Sequence, residues 1–184
     1  MGPTGSLMKP YGPLEPELVR EAYEEQAGAL AEGGVDLLVI ETMFALEEAE
    51  AAYTAARSVT DLPVVVSFSY DRGARTMMGV KPVDVINHFV KLGADLVGAN
   101  CGTSLENMER VIREYREAQP EMPLWIKPNA GLPRLVDGVP IYDVTPAMMG
   151  EAVLKFAGMG ARVLGGCCGN TPEHVAAIAR ALRQ

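Results

Sequence analysis

The chain predicts an α/β fold in which parallel βα units form a curved, barrel-type sheet of about five strands. Three observations carry that prediction. Short, near-continuous apolar runs of strand length alternate with amphipathic helical segments, the pattern of a helix-covered parallel sheet. The runs start near residues 35, 63, 94, 124 and 162, about thirty residues apart, which is the length of a βα unit. The chemically distinctive residues fall where these runs end, on the face where α/β folds place their sites. A flat sheet brings together only the strands around a switch point. A barrel-like sheet can converge the third and fifth strands on one place.

Each element has its own signal. Residues 2–14 form a Gly/Pro-rich loop without periodicity. Pro16 opens a helix to about Glu32, with Val19, Tyr23, Gln26 or Ala27, and Leu30 on one stripe and Gly33-Gly34 as the stop. The run 35–41 is the first strand, and an Ala/Glu-rich helix follows over about 46–58. Residues 63–69 give the second strand, then a polar loop and a helix over about 82–92. The third strand covers 94–101 and its helix about 105–118. The fourth, 124–128, runs into a long loop before the helix 146–159. The last strand, 161–164, is closed by a helix over about 172–182, announced by Asn170-Thr171-Pro172-Glu173.

Bulk properties narrow the function. The 184 residues suffice for one well-cored domain over 1–184. Sixteen basic against twenty-four acidic side chains leave a formal charge of −8, which argues against nucleic acid or an anionic membrane as partner. No apolar run approaches the ~20 residues of a membrane span, and no secretory signal pattern opens the chain. A reducing cytoplasm is the expected compartment. The ten methionines read as packing residues.

The cysteines say most. Cys101 ends the third strand beside Gly102, and Cys167 and Cys168 follow the last strand inside Gly165-Gly-Cys-Cys-Gly169. Adjacent side chains of an extended strand point to opposite faces, so two thiols aimed at one point require a turn, which the glycines permit. A free cysteine is by itself an ordinary core residue. A Cys167–Cys168 disulfide would be a strained ring, and a redox switch on those two leaves Cys101 unexplained. The joint pattern favours one three-thiolate metal site. Zinc suits it, because catalytic zinc takes three protein ligands and keeps one position open. Neither His88 nor His174 lies at a strand end to serve as a fourth ligand.

These pieces, together with Gly34-Val-Asp-Leu-Leu-Val-Ile-Glu-Thr42, Gly98-Ala-Asn-Cys-Gly102 and Lys127-Pro-Asn-Ala-Gly-Leu-Pro133, resemble the zinc-dependent homocysteine S-methyltransferase family. The nearest likeness is to the homocysteine-binding barrel of the cobalamin-dependent members. That resemblance implies a TIM-type (β/α)8 barrel, with this chain matching about its C-terminal five-eighths and its first three βα units outside it. It implies Cys101, Cys167 and Cys168 as zinc ligands and Glu41 as the acceptor of the homocysteine ammonium. The implied reaction is methyl transfer to the homocysteine thiol, giving methionine. The sequence does not name the methyl donor: methylcobalamin or 5-methyltetrahydrofolate supplied by other modules, a methylsulfonium compound and a betaine all stay open. Asn100 is a candidate hydrogen-bonding group for the amino-acid end of the substrate. Asn129 reads as a turn residue, Lys127 as a snorkelling lysine, His174 as a surface or packing residue, and Ser69 as a weak candidate. Five parallel strands leave two open edges, so the chain is expected to self-associate or to meet a complementing polypeptide.

Overall fold

Proline in the first turn starts four helices, at positions where the missing N–H has no helical partner to lose. They are α1 (Pro16–Glu32), α3 (Pro82–Lys91), α5 (Pro146–Gly158) and α6 (Pro172–Ala181). With α2 (Leu46–Val59) and α4 (Leu105–Ala118) they complete the helices of the computed structural model, which describes residues 1–183. Ser104 and Thr145 cap α4 and α5 by accepting from the backbone N–H of Asn107 and Met148. None of the described helices is long and apolar enough to cross a membrane.

The strands β1 (Leu38–Met43), β2 (Val64–Phe68), β3 (Leu96–Cys101), β4 (Leu124–Pro128) and β7 (Ala161–Leu164) form one sheet in the order β1-β2-β3-β4-β7. Every pairing in it is parallel. Period-two alternation sends Leu38, Ile40, Val64, Val66, Phe68, Val97, Ala99, Leu124 and Ile126 to one face. There they pack with Tyr53, Phe89, Ile112, Tyr115 and Phe156 from the helices into the main core. Full burial of each such side chain contributes roughly 1.5–3 kcal/mol before entropy is counted.

The opposite face carries Val39, Glu41, Ser67, Asn100, Trp125, Lys127 and Val163. Lys127 on β4 meets Glu41 on β1 at 3.1 Å across this face. On a flat sheet those strands would lie about 14 Å apart, with side chains standing away from the sheet. The sheet therefore curls, with the site face concave. This is the α/β, parallel, barrel-type sheet of five strands that the periodicity predicts. Its two ends, β1 and β7, do not pair with each other.

Three expectations need correction. The first strand is Leu38–Met43 and not 35–41, because pairing with β2 begins where Leu38 N–H donates to Pro63 C=O; apolarity alone carries no register. The supposed loop before α5 contains an antiparallel hairpin, β5 (Arg134–Val136) and β6 (Val139–Ile141). Asp137 and Gly138 at its turn both have positive φ, 51° and 79°, the requirement of a type I′ hairpin. Leu30 is exposed, so the buried stripe of α1 is Val19, Tyr23 and Ala27. Of the methionines, Met43, Met108 and Met149 are core residues, whereas Met77, Met78 and Met148 are exposed.

Candidate metal centre

Cys101 ends β3 with φ +59°, a left-handed conformation rare for a residue with a side chain. It turns the chain at the concave rim. Cys167 and Cys168 follow β7 through Gly165-Gly166, in a turn so close that a Cβ on Gly166 would lie 2.3 Å from Asn170 Cγ. The result joins what the sequence separates by 66 and 67 residues. Cys101 Sγ lies 3.2 Å from Cys167 Sγ and 4.0 Å from Cys168 Sγ. All three sulfurs fall within 4.8 Å of one another. Tetrahedral thiolates at the usual ~2.3 Å from zinc stand about 3.8 Å apart, so the donor set fits that ion. Cys101 and Cys167 are half-buried and Cys168 is exposed, which leaves the cluster open to solvent on one side.

Asparagines hold the two cysteine loops. Asn100 is fully buried. Its Oδ1 accepts from Thr42 N–H at 2.9 Å and Ser67 Oγ–H at 2.8 Å. Its Nδ2 donates to Thr42 Oγ1 at 2.8 Å and points at Cys101 Sγ and Cys167 Sγ, 3.5 and 3.9 Å away. In this geometry Asn100 supports the thiol cluster and the strands beside it. Its amide has no exposed surface, and its polar atoms are occupied by the strands beside it and the sulfurs above. Asn129 differs from the reading as a self-contained turn residue. Nδ2 donates to Gly102 C=O at 3.1 Å and Oδ1 accepts from Cys168 N–H at 2.9 Å, tying one cysteine loop to the other. Neither link is visible in sequence, since each partner lies in a distant loop.

The sulfurs share protons unequally. A hydrogen bond from Cys101 to Cys167, with burial adding to it, pushes the Cys101 thiol far up. The same bond, helped by the Asn100 amide, lowers Cys167 to about 5. Burial and the neighbouring Cys167 charge raise Cys168. The shared hydrogen bonds thus favour the thiolate at Cys167 over its two neighbours.

A β-bulge between Ile40 and Met43 interrupts the β1 register. It returns Met43 to the core and leaves both Glu41 and Thr42, the latter with φ +65°, on the concave side. Thr42 binds Asn100, and Glu41 forms the ion pair with Lys127. Lys127 is therefore no free snorkelling lysine; its partner lies 86 positions away. Ser69 is engaged by Asp71, outside the cluster. His174 closes the N-terminal cap of α6 with Thr171 and reaches Val144 C=O at 2.8 Å, in keeping with its reading as a packing residue.

A curled parallel βα sheet that gathers three thiols beyond its strand ends defines an α/β protein with a thiolate cluster able to hold a metal. The homocysteine S-methyltransferase model matches residues 1–182, and the chain belongs to that family. It is 31% identical to a methionine synthase of Mycobacterium leprae, over 99% of this chain and 15% of that protein. A Mycobacterium tuberculosis methionine synthase is 30% identical, with 99% and 16% covered. The chain thus spans about a sixth of the length of these curated relatives. The fold resembles the crystal structure of the Escherichia coli homocysteine methyltransferase MmuM in its apo form. That match has a TM-score of 0.78 at 23% identity, covering 98% of this chain and 60% of that one.

Proposed function

We propose that this chain provides the zinc and homocysteine site of a homocysteine S-methyltransferase, an enzyme of the EC 2.1.1 type that makes methionine. The observation that carries the reading is the convergence of three thiols from β3 and β7 within 4.8 Å in a chain of this family. Cys101, Cys167 and Cys168 hold the zinc. When bound, zinc supplies the charge that keeps a substrate thiol deprotonated at neutral pH. Asn100 fixes Cys101 and Cys167 through its amide and holds Thr42 against β3, while Asn129 locks the Cys168 loop to Gly102. Glu41 receives the substrate ammonium on the concave face and so orients the amino acid with its thiol toward the cysteines. The methyl group comes from methylcobalamin or 5-methyltetrahydrofolate carried by other modules, and a reducing compartment such as the cytoplasm keeps the thiols free.

A second reading is favoured by one observation, the unjoined ends of the sheet at β1 and β7. In it the chain binds zinc and thiol but turns over only when a second copy or a complementing polypeptide covers those ends. Zinc analysis, homocysteine calorimetry and a methyl-transfer assay separate the two. About one zinc per chain with homocysteine binding supports both readings; turnover by the chain alone supports the first. Full zinc occupancy in a Cys167→Ala, Cys168→Ala double variant would contradict both.

A further inference from the structure

The Glu41–Lys127 ion pair lies immediately below the thiol cluster. In the sheet register Lys127 stands beside Asn100, and Pro128 beside Cys101. Glu41 directly precedes Thr42, which Asn100 binds. The pair is partly withdrawn from water, with side chains 26% and 35% exposed. The Lys127 ammonium stands 5.8 Å from the Trp125 ring centre, and its stem lies along Gly165, where an added Cβ would come within 3.3 Å of Lys127 Cγ. Lys127 is thus held in place by Trp125 on its own strand and by the backbone just after β7.

That arrangement has a chemical consequence for a zwitterion. An α-amino acid carries its ammonium and carboxylate on one carbon. If the ammonium takes Glu41, Lys127 loses its partner while still half-desolvated, and an unpaired charge in that setting is costly. A carboxylate one carbon from the ammonium restores the balance, exchanging one ion pair for two. A thiol bearing only an amine displaces Lys127 and gives nothing back. We infer that Lys127 is a specificity-determining residue, which holds Glu41 in the free protein and takes the α-carboxylate of the bound amino acid. The inference rests on the homocysteine reading above and adds to it a demand for the intact zwitterion.

Calorimetry on the zinc-loaded chain tests it with L-homocysteine and with 3-aminopropane-1-thiol, which lacks only the carboxylate. Wild-type protein is expected to prefer homocysteine by about tenfold or more. Lys127→Met keeps the apolar stem and removes the charge. It should abolish that preference by weakening homocysteine, while the aminothiol binds as well or better because Glu41 has lost its competitor. Lys127→Arg, with equal zinc content, should retain the preference. Equal loss of both ligands in Lys127→Met would assign the lysine a structural role only, and a preference that survives this change would also overturn the inference. No preference in a wild-type chain that binds both thiols sinks the role of Lys127 alone. Failure of the wild type to bind homocysteine sinks the underlying reading and the inference with it.

Discussion

Asn100 is the side chain on which the cluster most depends after the cysteines themselves. It is fully buried and satisfies Thr42 N–H and the Ser67 hydroxyl while facing two sulfurs. Asn100→Ala strands those donors, and each buried unsatisfied group costs about 1–3 kcal/mol. Chemical denaturation should show that loss, and zinc retention against a chelator should fall with it. The thiols give a second prediction. In metal-stripped protein Cys167 is lowered to about 5 while Cys101 and Cys168 are raised. At pH 6–7 an alkylating agent should label Cys167 first, with mass spectrometry reading the site, and labelling should fade as pH drops through about 5. The sign for stability follows. Between that value and the ordinary thiol value of 9.0 the unfolded chain binds the proton that folded Cys167 has lost. Metal-free stability should therefore rise with pH across that window and lose this contribution below it. The three thiols were legible because cysteine next to glycine at a strand end is an unusual combination. The occupation of Asn100 and the partner of Lys127 were not, since both depend on contacts between residues far apart in sequence.

At the scale of elements, the site is placed by a close strand pair and a bulge. A Cβ on Gly98 in β3 would sit 1.9 Å from Trp125 C=O in β4, so only glycine lets these strands approach as they do. Gly98→Ala should force them apart, destabilising by about 1–3 kcal/mol as an overpacked site does. Because Cys101 lies three residues further along β3, zinc affinity should drop as well. Thermal unfolding and zinc titration together check this; an unchanged melting temperature would contradict the packing. The bulge explains why the end of the first strand was set at Glu41 in sequence: the extra residue returns Met43 to the core, and an apolar run does not show where it enters. The β5–β6 hairpin was open to prediction from Asp137-Gly138 between apolar residues, but three-residue strands leave almost no periodicity to detect.

The whole molecule is a curled sheet covered by helices on one face, with β1 and β7 at unjoined ends. Exposed backbone on edge strands invites pairing. The neighbouring hairpin adds to this, since Leu135, Val136, Val139 and Ile141 are all exposed. Light scattering at rising concentration should report a mass above that of one chain, and a monodisperse monomer would contradict this expectation. The parallel βα order was readable from the thirty-residue spacing and the curvature from cysteines at the ends of two separated strands, whereas the meeting of Glu41 on β1 with Lys127 on β4 was not, because it depends on how far the whole sheet curls. The central claim is that the three cysteines hold zinc with a position left for the substrate thiol. X-ray absorption at the zinc edge tests it most directly, by counting sulfur neighbours before and after L-homocysteine is added. The account predicts a shell of three sulfurs at about 2.3 Å that becomes four with homocysteine; a sulfur count that homocysteine leaves unchanged would contradict it.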